Sequence, residues 1–340
     1  MAGASFTRRG FLGSMISACA ASLGFGRLWG AGKPLSQAHL NATGKKTNTP
    51  PRVVIAKDPN VFRLNGKIDE NVLGTMLDNA MERLTGKSPP DAWSNLFSRQ
   101  DVVGIKVNCL AGRGLSPHME LIDLIVNRLV ACGMRDKNII VWDRTDKDLK
   151  KAGFTIRRRG DGYRCYGTND DYDTSELEFA GSVGSIFSPI LSKKTTATIS
   201  VPVMKDHDLA GITLSMKNFY GAIHNPNKYH DNNCSPYVAD LNSHRFIRNK
   251  LRLVITDALT AQYHGGPSFK PGFCWKYAGL IVAQDPVAHD LTGWKIIEEK
   301  RSEMGLPSLL ESKREPLYIK KASELGLGES DPALIEVIEV

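Results

Sequence analysis

The sequence predicts an α/β fold: a mostly parallel sheet with helices on both faces, plus a loop-rich insertion. Three observations lead there. Short apolar runs alternate with helical periods, the pattern of successive β-α-β units. The runs are apolar at almost every position, as in strands buried on both faces. Polar residues follow the ends of several runs, where open parallel sheets place their ligands.

The elements read as follows. Val53-Val54-Ile55-Ala56 is a strand. Ile68 to Leu84 is a helix, with apolar residues at Ile68, Val72, Leu73, Met76, Leu77, Ala80, Met81 and Leu84 and a stop at Gly86. Asp101 to Val107 is a strand, Pro117 to Cys132 a helix ended by Gly133, and Asn138 to Trp142 a strand closed by Asp143. A short helix, Asp146 to Ala152, ends at Gly153. Residues 160–190 are rich in Gly, Asp and Tyr and read as the insertion, closing in a short helix near Ile186–Leu191. Thr195 to Val201 is a strand, Leu209 to Tyr220 a helix, 222–236 a polar loop, and Pro236 to Lys250 a helix. Leu251 to Thr256 is a strand before Asp257; 262–274 is a Gly/Pro-rich loop. Tyr277 to Ala283 is a strand, Pro286 to Lys300 a helix, and Leu334 to Val340 a final strand.

The organisation expected is a signal peptide over 1–32, a flexible linker over 33–50 and one α/β domain over 51–340. Ser5-Phe6-Thr7-Arg8-Arg9-Gly10-Phe11-Leu12 resembles a twin-arginine export signal, followed by a weakly apolar stretch too short to span a bilayer permanently. It implies the twin-arginine translocation machinery as a partner and a periplasmic or other extracytoplasmic destination. Ile16-Ser17-Ala18-Cys19 also resembles a lipoprotein box, a weaker alternative that would place a lipid anchor on Cys19. No later segment reads as a transmembrane span. Twin-arginine cargo generally crosses already folded, so folding takes place in a reducing compartment where disulfides are rare. A common reason for that route is a cofactor inserted before export.

The net charge is +8, and the 44 basic residues less Arg8, Arg9 and Arg27 of the leader stand against 36 acidic ones, leaving a mature chain of about +5. The bases do not cluster as nucleic-acid recognition requires, so no nucleic acid is expected. Beyond Cys19 the cysteines are Cys109, Cys132, Cys165, Cys234 and Cys274, with no Cys-x-x-Cys pair. The ferredoxin-type iron–sulfur run and the zinc ribbon are both absent.

The densest chemistry lies in 200–234. A buried strand runs into a turn carrying Lys205, Asp206 and His207, and a helix follows with Lys217 and Asn218 among apolar neighbours. A lysine in apolar surroundings is costly unless an anion pairs with it. It is also suited to base or Schiff-base chemistry. His207, His224, His230 and Cys234 offer transition-metal donors, although their spacing matches no established metal motif. Lys205, His207, Lys217, Asn218 and Asp257 are therefore the candidate catalytic residues. Lys106, Asn108, Asp143, Gly265, Gly266 and Asp285 are candidates for holding a cofactor or ligand. An Asp at a strand end also serves simply to cap the next helix, as Asp285 before Pro286 is placed to do.

Several of these segments together resemble the domain-of-unknown-function 362 family over roughly 50–340. They are Gly104-Ile105-Lys106-Val107-Asn108, Val141-Trp142-Asp143-Arg144, Val201-Pro202-Val203-Met204-Lys205-Asp206-His207, Ala210-Gly211-Ile212-Thr213-Leu214-Ser215-Met216-Lys217-Asn218-Phe219-Tyr220-Gly221, Thr256-Asp257-Ala258, Gly265-Gly266-Pro267 and Asp285-Pro286-Val287-Ala288-His289-Asp290. The resemblance implies a domain identity and no established reaction. Many members look like twin-arginine cargo, and some relatives carry ferredoxin-type cysteine clusters that this chain lacks.

Three classes of function stay open. One is an exported, redox- or metal-assisted enzyme acting on a small anionic substrate. Another is a non-catalytic binding protein for an anion or acidic sugar. The third is a scaffold, which would show a large exposed apolar patch in place of a polar cleft.

Overall fold

Strand composition builds the centre of the molecule, a computed structural model that describes residues 49–340 and the backbone of a small antiparallel pair, His39–Leu40 with Lys46–Thr47. The leader, Cys19 and most of the linker lie outside the described residues.

Strands β1 (Arg52–Lys57), β2 (Val103–Val107), β3 (Ile139–Trp142), the short β4 (Arg164–Cys165) and β5 (Ala197–Val201) come first in the chain. All residues of β2, β3 and β5 are buried, as their unbroken apolar runs require. Then come β6 (Val203–His207), β7 (Gly211–Thr213), β8 (Leu251–Gln262), β9 (Cys274–Ala283) and β10 (Glu336–Glu339). The order across the sheet is β10-β1-β9-β8-β5-β2-β3-β4, with β6 beside β8 and β7 beside β6. Pairing from β8 through β4 is parallel; β9 is antiparallel to both β8 and β1, and β7 to β6.

Helices cover both faces. On one, α1 (Glu70–Thr85), α2 (Pro89–Leu96) and α3 (Met119–Ala131) bury Leu73, Leu77, Trp93 and Ile125 with Ile105 and Ile199 of the sheet. On the other, α5 (Ser215–Asn218), α6 (Tyr237–Ser243), α7 (Pro286–Glu303) and α8 (Tyr318–Glu324) pack Met216, Leu241, Ile297 and Tyr318 with Val254 and Ile281. The short α4 (Asp146–Ala152) follows β3. None of the described helices is long and apolar enough to cross a membrane.

Three sequence expectations are corrected. The helix expected over Leu209–Tyr220 is mostly a hairpin return, β7 folding back on β6 through Asp208–Ala210, and only Ser215–Asn218 is α-helical. The apolar spacing there comes from a buried strand followed by a buried helical turn, two periods read as one. Lys205 and His207 accordingly lie on a strand instead of in a turn. The helix expected over Pro236–Lys250 breaks at His244, whose extended backbone caps a second turn, Arg245–Arg248.

Candidate functional site

A cleft of about 470 Å³ opens where β2, β3, β6 and α5 meet. Side chains alternate faces along a strand, so Lys205 and His207 of β6 share one side, as do Lys106 and Asn108 at the end of β2. All four line the cleft, with Asp143 and Arg144 after β3, Thr213 on β7, Lys217 and Asn218 on α5, Tyr220 and Gly221 after it, and His230 in the following loop. Asp206 points the other way, accepting the Gly266 N–H at 2.6 Å and pairing with Arg314 at 3.1 Å.

One wall is a closed polar network. The Lys106 ammonium donates to Asp143 Oδ1 at 2.7 Å, Asn218 Oδ1 at 3.1 Å and the Val107 carbonyl at 2.7 Å. The other Asp143 oxygen accepts the Cys109 N–H at 2.7 Å. Asn218 Nδ2 donates to the Lys106 carbonyl at 2.9 Å and to Ser200 Oγ at 3.1 Å. Asn218 thus ties α5 to β2 and β5. Gly221 closes against this network: a Cβ there would lie 2.8 Å from Lys106 Nζ and 3.0 Å from Asp143 Oδ1.

The facing lysines are different. Lys205 is fully buried and donates to Asn108 Oδ1 at 3.1 Å. Lys217 is buried; its Nζ lies 3.0 Å from His230 Nε2 and 3.5 Å from the Tyr220 ring centroid. Neither forms an ion pair with a carboxylate among the described residues. Burial pushes Lys205 down to about 8 and Lys217 down to about 7, where the amine is partly neutral.

The tautomers of the two histidines follow from their partners. His207 Nδ1 accepts the N–H groups of Leu209 at 3.1 Å and Ala210 at 3.2 Å, so its proton sits on Nε2. Burial, then the neighbouring Lys217, His230 and Lys205, push it down to about 2, and the ring stays neutral. His230 Nδ1 faces the carbonyls of Pro226 at 3.1 Å and Asn227 at 3.3 Å, so Nδ1 is the donor and Nε2 the acceptor toward Lys217. The two rings stack with centroids 5.7 Å apart. Thr213 Oγ, buried in the cleft wall, has no hydrogen-bond partner among the described residues.

The structure brings together Lys106, Asn108, Asp143, Lys205, His207, Lys217, Asn218 and His230. It places the other candidates elsewhere. Asp257 is fully buried away from the cleft lining, accepting from His118 N–H at 2.7 Å and facing His118 Nδ1 at 2.8 Å. The Asp257 charge holds His118 above the usual histidine range. Asp285 is the N-cap of α7, accepting from Val287 and Ala288, and also accepts the Glu329 N–H. Gly266 packs on Asp206 and Gly265 lies beside Lys270 and Phe273, and of that motif only Pro267 reaches the cleft.

The four metal donors are not assembled. His224 is exposed, edge-on to Tyr172, and Cys234 is buried outside the lining with its thiol pushed up by burial. Among the described residues no three His, Cys, Asp or Glu side chains stand as a metal-binding group. With His207 Nδ1 also committed to backbone, the donor set does not fit a transition metal or an iron–sulfur cluster.

Sequence reasoning missed Tyr220, Thr213 and Gly221 as cleft residues. Their signal was their place in the 210–221 segment, where polar or small residues recur in an otherwise apolar run.

The family described as "Domain of unknown function (DUF362)" matches residues 103–295, more than half of the chain. The chain belongs to this family. The matched segment contains every residue lining the cleft of this DUF362 member. Among solved structures the chain is similar to a Thermotoga maritima protein determined by a structural genomics consortium, at 11% identity and a TM-score of 0.36, covering 64% of this chain and 59% of that one. It thus spans less than two thirds of that protein's length. No curated protein matches the chain.

Proposed function

We propose that the chain is an exported enzyme acting on a small anionic substrate held in this cleft. The observation that carries the reading is the pair of buried lysines, Lys205 and Lys217, which line the cleft with no carboxylate partner among the described residues. A buried ammonium without a counter-charge is costly, and an entering anion relieves that cost. The Nε2–H of His207 and the Thr213 hydroxyl, which has no hydrogen-bond partner among the described residues, would supply further hydrogen bonds to an anionic head. The metal-assisted version of this reading loses support because its donors are dispersed.

The test is thermal denaturation with inorganic phosphate, sulfate, malonate and pyruvate, alongside NMR to follow consumption. Stabilisation by at least one of these anions, lost in Lys205→Ala and Lys217→Ala, is expected. If none of the anions raises the midpoint, the anion site does not exist. An anion that binds and is never consumed makes the chain a binding protein instead. Export rests on Arg8 and Arg9. Replacing both by lysine is expected to leave the precursor in the cytoplasmic fraction.

A further inference from the structure

Lys217 has the surroundings of a nucleophile as well as those of an anion ligand. Nucleophilic catalysis has a recognisable geometry: a nucleophile within hydrogen-bond reach of a base, and the base oriented by a third group. Lys217 Nζ lies 3.0 Å from His230 Nε2. His230 is held by Nδ1–H donation to the carbonyls of Pro226 and Asn227, leaving its basic nitrogen aimed at the amine. Among the described residues no carboxylate pairs with Lys217 to keep it protonated. The Tyr220 ring packs against it, and the Tyr220 hydroxyl is itself committed to the Tyr229 carbonyl at 2.6 Å. Both Lys217 and His230 line the cleft. Of the two other buried lysines of the cleft, Lys106 is disqualified by its 2.7 Å pairing with Asp143. Lys205 has an amide oxygen beside it and no base in that position.

We propose that Lys217 forms an imine with a carbonyl-bearing acid, a 2-oxoacid in class, with His230 as the base and Lys205 holding the carboxylate. This rests on the anion site described above. The neutral amine attacks the carbonyl carbon, and the carbonyl electron pair moves to oxygen. His230 Nε2 takes one proton from the nitrogen and returns it to that oxygen, giving the carbinolamine. The nitrogen lone pair then expels the hydroxyl, which leaves as water with the second amine proton, carried by the same imidazole. Amine and carbonyl become imine and water, with no change of oxidation state.

The experiment incubates the full chain with pyruvate and sodium cyanoborohydride, then reads intact mass and maps the modified peptide. The expected result is a single adduct, equal to pyruvate less one oxygen atom, on Lys217. Lys217→Arg is expected to lose it, and His230→Gln to slow its formation at least tenfold with the melting temperature unchanged. Should Lys217→Arg fail to fold, the peptide map of the wild-type protein decides alone. No adduct, or an adduct spread over surface lysines without preference for position 217, overturns the proposal. If phosphate and malonate stabilise the protein and pyruvate leaves no adduct, the imine fails and the anion site stands. If an uncharged aldehyde such as propanal is trapped on Lys217 as fast as pyruvate, the imine stands and the anion site fails.

Discussion

At the scale of single residues, the lysines of the cleft divide by what sits beside them. Lys106 is buried with Asp143, and breaking a buried pair from one side leaves an uncompensated charge. Asp143→Ala is therefore expected to destabilise the protein by about 3–5 kcal/mol in urea unfolding. A loss below about 1 kcal/mol would mean that the pair contributes little. Lys205 and Lys217 behave oppositely. Their folded values, about 8 and about 7, lie below the ordinary 10.5, so between those limits the unfolded chain holds more protons than the folded one. Stability of the ligand-free protein should therefore rise as pH is raised through that window. The titratable groups whose charges act on Lys205 are Asp143, Cys109, Asp206 and Lys106; those near Lys217 are Cys234, Asp208, His207, His230 and Lys205. Melting curves from neutral to alkaline pH check this, and Lys217→Met should flatten the rise.

At the scale of elements two helix starts are capped by buried aspartates, and only the first bears on the site. Asp290, fully buried, accepts the N–H groups of Ser215 at 2.9 Å and Met216 at 3.0 Å, capping the one-turn helix that carries Lys217 and Asn218. His289 Nδ1 lies 2.8 Å from the same carboxylate, and its Nε2 2.9 Å from Thr256 Oγ. The cap thus hangs from the sheet through a histidine. Asp290→Ala is expected to abolish anion stabilisation even though Asp290 is outside the cleft lining, a result that thermal-shift titration reads directly. Asp285 does the same for α7. Its loss is expected to cost about 1–2 kcal/mol without changing anion affinity at saturating folded protein. The missing Cβ of Gly221 lets the chain after α5 close on the Lys106–Asp143 pair. A methyl group at that position meets the Lys106 ammonium, so Gly221→Ala should weaken anion binding by displacing the Lys106–Asp143 wall.

At the scale of the whole molecule, ligand and fold are linked. An anion present at 100 times its dissociation constant adds about 2.7 kcal/mol to the stability of a chain that binds it only when folded. The α/β class and the buried strands β2, β3 and β5 were legible from apolar runs, because a strand covered on both faces admits few polar residues. The caps at Asp285 and Gly86 were legible because each satisfies a need set by its own helix. The antiparallel insertion of β9 and the β6–β7 return were not. Strand direction and pairing depend on long-range hydrogen bonds that leave no period in the local sequence. Chemistry followed the same division. Residue type marked lysines and histidines in apolar surroundings as costly, and therefore as candidates, before any geometry was known. Only tertiary structure decided which lysine meets a carboxylate, which meets a histidine nitrogen, and that Asp257 and His224 stand apart from them. A charge is tuned by the groups within a few ångströms of it, and those groups come from strands and loops far away along the chain.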